Sequence, residues 1–164
     1  MRFLNLLLTS ALLTALGVYS TTVVAADDAV KVTSIAQTEI EITDKNGRKT
    51  LKRVPVDKAV PGTEVIFTTV FENLIDKTAN DISINNPIPP ETEYKAGSAF
   101  GKDCEILFSI DGKTFGYAEE LKVKDDDGKE RTALPREYRH IRWNYKVPLA
   151  KGKPGEVGFR ATIK

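Results

Sequence analysis

The chain has one cysteine, one histidine, one tryptophan and one methionine among its 164 residues. A single cysteine, Cys104, excludes an internal disulfide, so the core must hold the fold unaided. A single histidine, His140, obliges any Ser/His/Asp or Cys/His catalytic set to run through that residue. Together they supply too few ligands for a zinc site. A glycine-rich phosphate loop is missing: Gly152 and Gly155 lie in a lysine-bearing segment with no helical pattern behind it. Long apolar runs are absent after the first residues.

What is present begins with an export pattern. Arg2 supplies a positive start and Phe3 to Val18 is almost wholly apolar. Val24-Ala25-Ala26 is a small-residue cleavage site, followed by Asp27 and Asp28. We read residues 1–26 as a signal peptide and 27–164 as one β-sandwich domain of 138 residues. An uncleaved anchor is the alternative; Asn5, Thr9, Ser10 and Thr14 interrupt the run, which is short for a ~20-residue span. No cysteine lies near the cleavage point, which argues against a lipoprotein. Without Arg2 the chain carries 23 basic and 23 acidic residues. That balance implies neither nucleic acid nor an acidic substrate, and the mature chain is expected not to span a membrane. Its expected location is the periplasm or the cell surface.

Alternation of period two recurs along the mature chain and predicts strands. Val30, Val32, Ala36, Ile40 and Ile42 share one face of the first. Asn46-Gly47 predicts a type I′ hairpin, with a return strand to about Val56 that Pro55 ends or marks as an edge. Val65, Phe67, Thr69 and Phe71 form the bulkier face of a strand after Pro61-Gly62, and Ile66 and Val70 make it central. Ile82 and Ile84 point inward, and the prolines from Pro87 to Pro90 then block a central strand. Cys104, Ile106, Phe108 and Ile110 share a phase, so Cys104 is expected buried. Ala118 to Lys122 allows one helical turn at most. Ile141, Trp143, Tyr145 and Val147 share a face opposite His140, Arg142, Asn144 and Lys146. Val157, Phe159, Ala161 and Ile163 point inward in the last strand. The expected fold is all-β: an immunoglobulin-like two-sheet β-sandwich of seven to eight strands, with Trp143 between the layers.

The search for chemistry returns little, and no catalytic, cofactor or metal residue is assigned. Strand parity sets His140 on the solvent side and Cys104 in the core, so they do not meet. Asp125-Asp126-Asp127-Gly128 invites a calcium reading, with Asp125 and Asp127 as ligands. An EF-type loop would need oxygens where Val123 and Leu134 stand, so an acidic turn offset by Lys129 and Arg131 is the plainer reading. Glu119 and Glu120 do not stand out as a hydrolytic pair. Arg136 to Lys164 holds eight basic and two acidic residues. If the last two strands pair, Arg142, Lys146 and Arg160 share an outer face open to an anionic polymer or acidic partner.

An ordered set of short motifs resembles a known family. It comprises Pro61-Gly62, the strand Thr63 to Glu72, Asn73, the strand Asp81 to Asn85, Asn86-Pro87-Ile88-Pro89, Tyr94 and Ser98-Ala99. Phe108 to Gly116, Tyr138 to Trp143 and Gly155 to Ile163 follow. From about Val54 to Lys164 the chain resembles the "conserved repeat domain" family of bacterial envelope proteins, in its single-domain exported branch. The hairpin of residues 30–54 lies outside the match. Asn86 stands where the family often has Asp, and this chain has one copy where family members often have many. The resemblance implies an immunoglobulin-like domain of unknown function with no known catalytic residues. The expectation is a non-catalytic structural, adhesive or protein-interaction module of the cell envelope, without cofactors. Its partner would be an envelope protein or an anionic surface polymer. The alternative is a periplasmic ligand or carbohydrate binder using Tyr94, Phe100, Phe115 and Tyr117; a small hydrolase is the remote third.

Overall fold

The computed structural model describes residues 29–164; the signal-peptide reading of 1–26 lies outside them. The described chain is all-β and its strands pair antiparallel throughout. In chain order the strands are β1 (Val30–Thr43), β2 (Lys49–Pro55), β3 (Glu64–Asn73), β4 (Ser83–Pro87), β5 (Thr92–Tyr94) and β6 (Phe100–Gly101). Then come β7 (Cys104–Ser109), β8 (Lys122–Lys124), β9 (Glu130–Thr132), β10 (His140–Tyr145) and β11 (Pro154–Ile163). Pro135–Glu137 forms one 3-10 turn, which alternation does not signal. The strand segments outnumber the seven or eight expected because β5, β6 and β9 have only two or three residues each. Runs that short show no period.

The larger sheet has the order β2-β1-β3-β11-β5, with β6 also on β11. The smaller has the order β4-β10-β7, and β8 and β9 form a separate hairpin. β3 is central, as its two apolar faces predict, and Ile66 and Phe71 are fully buried from opposite faces. Trp143 is fully buried and stacks on Phe159 of the other sheet at 6.4 Å. Phe71, Ile84, Ile141 and Val157 are among the residues that share this core. Burying each such large side chain contributes about 1.5–3 kcal/mol.

Three contacts align the sheets strand over strand. Trp143 on β10 meets Phe159 on β11. Phe108 on β7 meets Tyr94 on β5 at 5.6 Å. Asn86 on β4 donates to the Thr69 hydroxyl on β3 at 2.7 Å. Three strands of the small sheet thus lie over three of the large one, and β1 and β2 lie beyond the covered part. Val30 and Val32 still reach the core; Ile40 and Ile42, expected on the same buried face, are 43% and 40% exposed. Alternation ran on correctly, but the layer that would cover it did not.

One local expectation also changes. The hairpin at Asn46-Gly47 is not type I′: only Gly47 has positive φ, at 76°. The Asp44 carboxylate accepts the amides of Asn46 and Arg48, and the loop closes through Gly47 N–H on the Asp44 carbonyl. A type I turn followed by a left-handed glycine fits those bonds. Pro87, expected to block a central strand, ends β4. β4 is an edge, and the Ile82–Tyr145 and Ile88–Arg139 bonds put the residue-87 nitrogen on the side away from β10.

Candidate functional site

The residues singled out for chemistry are dispersed by the fold. Cys104 pairs with Tyr145 at one end of the β7–β10 ladder, and His140 pairs with Ser109 at the other, on the opposite face. Cys104 is half-buried rather than buried, because it begins β7 at the rim of the core. Its thiol donates to the Lys102 carbonyl at 3.4 Å. Burial, with help from Asp103, pushes its pKa up. His140, expected on a solvent face, is half-buried. The segment after β7 folds back over that face, and a Cβ on Gly112 would come 2.7 Å from His140 Cε1.

Asp125-Asp126-Asp127-Gly128 is a hairpin turn between β8 and β9, built like the Asp44 turn. Asp125 accepts the amides of Asp127 and Lys129, and Gly128 has φ 77°. Arg131 is turned to Glu137, which it grips through two bonds of 2.7 Å. Among the described residues no cluster of three or more His, Cys, Asp or Glu is placed to hold a metal ion. Glu120 accepts the Tyr117 amide and so closes its own turn.

The four aromatics do not converge. Tyr94 is buried between Phe108, Tyr138 and Phe159, with its hydroxyl accepting the Ala99 amide. Phe100 lies against Gly158 on the large sheet beneath Arg53. Phe115 and Tyr117 cover the small sheet, where Arg142 stacks on Phe115 at 3.6 Å and the Tyr117 hydroxyl donates to Glu105. A groove of about 650 Å³ between β5, β11 and the 3-10 turn is lined by Tyr94 alone of these four. Tyr94 was expected exposed; its parity on β5 puts it inward.

The shared basic face does not form either. β10 and β11 belong to different sheets, so Arg142 and Lys146 are parted from Arg160. Each is also engaged. Lys146 binds Glu105 at 2.7 Å, and Arg160 binds Glu39 and Glu64. Those carboxylates raise the Arg160 pKa. In turn Glu39 is lowered chiefly by Arg160, and Glu64 chiefly by Lys95.

What the fold leaves open is a ribbon. β1 has 14 residues, and only Val30 to Gln37 pair with β3. From Thr38 to Thr43 it pairs with β2 alone. Two strands therefore run past the end of the sheet. One face carries Thr38, Ile40, Ile42, Thr50, Lys52 and Val54; the other carries Glu39, Glu41, Lys49, Leu51 and Arg53. Leu51 is 67% exposed, the most exposed large apolar residue described. The charged face is knit together: Lys49 binds Glu41 at 2.8 Å, and Arg53 approaches Glu39 and Glu156. Arg160 holds the base of the ribbon through Glu39. An isolated two-stranded hairpin is marginal in water, so these ion pairs at its root matter more than surface pairs usually do.

Sequence reading missed Leu51 and misplaced Ile40 and Ile42. The available signal was length: the alternation of β1 outruns that of any strand able to lie beside it. No family model matches this chain, and no curated protein and no solved structure matches it.

Proposed function

We propose that this chain is a non-catalytic interaction module of the bacterial cell envelope, and that the ribbon of β1 and β2 is its contact element. The single observation that carries the reading is the uncovered two-stranded extension with Ile40, Ile42 and Leu51 exposed. Exposed strand edges and apolar ribbon faces bind other chains by strand addition or face packing. In this reading residues 1–26 direct export, the mature chain works in the periplasm or at the cell surface, and the sandwich is immunoglobulin-like, in the manner of the conserved repeat domain family. The dispersal of Cys104, His140 and the four aromatics supports a module without a reaction centre.

A photo-crosslinking amino acid placed at Leu51, at Ile42 and, for comparison, at Asn85 tests the contact in cells of the source organism. Adducts from the two ribbon positions and none from Asn85 are expected, on a chain whose mass begins at Asp27. Adducts from Asn85 alone, or an unprocessed cytoplasmic chain, would refute the proposal.

A further inference from the structure

The outer edge of β2 is the part of the ribbon with a readable partner. The β1–β2 ladder is bracketed by Asp44 N–H on the Arg48 carbonyl and Val56 N–H on the Ala36 carbonyl. Antiparallel alternation then turns the backbone groups of Thr50, Lys52 and Val54 toward β1 and those of Lys49, Leu51 and Arg53 outward. Among the described residues no strand pairs with that outer side. Pro55 stands next in the outward series, where its missing N–H costs the ladder nothing.

The edge is charged on one side of the ledger only. Lys49, Lys52 and Arg53 lie on β2 and no acidic residue does. Lys52 makes no ion pair among those described, whereas Lys49 and Arg53 are already drawn to glutamates of β1. The strand that β2 does accept, on its inner side, is Thr38-Glu39-Ile40-Glu41-Ile42-Thr43: glutamate alternating with β-branched residues. Charge complementarity asks the same chemistry of an outer neighbour.

A second copy does not meet that demand. Two β2 edges paired about a two-fold axis would set Lys49, Lys52 and Arg53 against their own kind. Stacking the ribbon of one copy beside that of another in the same direction spaces the molecules by about 10 Å, while the six-stranded sheet of each, five strands across, is about 20 Å wide. The bodies would collide.

We therefore infer that the outer edge of β2 receives an extended, acidic segment of another polypeptide, with glutamate or aspartate alternating with β-branched residues, added as a strand through Lys49, Leu51 and Arg53. The inference rests on the ribbon being the contact element and adds the chemistry of what binds there.

The probe is a capped peptide with the sequence of residues 37–44, titrated into the ¹⁵N-labelled mature chain and followed by amide shifts. Saturable shifts at the Lys49, Leu51 and Arg53 amides are expected, with Kd below about 1 mM. The same peptide with lysine for both glutamates should leave them unmoved. Leu51→Pro removes an outward donor while sparing the ladder to β1, and should abolish the shifts. Lys52→Glu, at an exposed unpaired site, should weaken binding at least about tenfold and covers the case in which the proline variant fails to fold. No saturable shift overturns the inference. So do equal shifts with polyglutamate, which would mean anion binding without strand addition. Shifts at Thr50 and Lys52, the signature of exchange with β1, also overturn it. None of these outcomes bears on the crosslinks from Leu51 and Ile42, so the ribbon reading stands or falls separately.

Discussion

Arg160, four residues from the carboxyl end, holds Glu39 in β1 with two parallel hydrogen bonds of 2.9 and 2.8 Å across 121 positions of sequence. The same guanidinium reaches Glu64 at 2.7 Å. Arg160 and Gln37 flank Ile66 across the sheet, and Ile66 is fully buried although it points away from the main core. One residue thus ties the last strand to the root of the ribbon.

Arg160→Lys keeps the charge but loses the planar fork. Its melting temperature should fall by a few degrees, on the order expected for a lost bidentate pair. Amide exchange at Thr38 to Thr43 should quicken more than at Trp143. Uniform quickening throughout the molecule would mean that Arg160 does not act on the ribbon.

The buried Trp143 Nε1–H has no hydrogen-bond partner among the described residues. Trp143→Ala should cost about 3–5 kcal/mol, a large share of the stability of a small fold. Trp143→Phe also leaves a cavity, but it removes the orphan donor, whose burial costs about 1–3 kcal/mol. Its penalty in urea unfolding should therefore be well under half that of the alanine variant. Equal penalties would show that the indole N–H is not a burden.

Gly155 faces Phe71, and a Cβ there would fall 2.1 Å from the ring. The two residues are direct partners across β3 and β11. Gly155→Ala should cost about 1–3 kcal/mol through overpacking. Phe71→Leu in the alanine background should recover part of the loss, and a double-mutant cycle measures it.

Three carboxylates sit at a pKa of about 2. Asn144, Lys146 and Tyr117 hold Glu105 there; Arg131 and the Leu134 amide hold Glu137; the Lys113 and Thr114 amides with Ser109 hold Asp111. Unfolded, these groups titrate near 4.5 for Glu and 3.8 for Asp. The folded state therefore binds fewer protons, and its advantage is complete above the unfolded values and lost as pH falls toward 2. Urea midpoints should drop across that window. Glu105→Gln should flatten the drop, and a slope unchanged by that substitution would remove Glu105 from the account.

Cys104 titrates above its usual range because it is half-buried and next to Asp103. Iodoacetamide should label it more slowly at neutral pH than an unfolded control, since the thiolate is the nucleophile. Labelling as fast as in urea would contradict the placement.

Much of the strand pattern was legible because side chains in strands alternate strictly. That rule put Ile84, Ile141, Trp143, Val157, Phe159 and Ala161 inward, and the structure buries all six. It misled at Ile40 and Ile42, where the pattern continued past the end of the covering layer. It was silent at β5 and β6, which are too short to show a period. Tyr94 was offered as a surface aromatic since nothing local marks a three-residue strand. His140 was placed in solvent since parity describes a sheet face and not the loop that later crosses it.

The sequence by itself determined the all-β class, the central place of β3 and the inward tryptophan. Each is a local property, written in residue type and spacing over a few positions. Tertiary structure alone decided that β10 and β11 lie in different sheets, that Arg160 is spent on Glu39 and Glu64, and that β1 and β2 run beyond the smaller sheet. Those outcomes depend on how many strands each layer holds and how they align. That is settled by packing between residues up to 121 positions apart, and no local pattern records it.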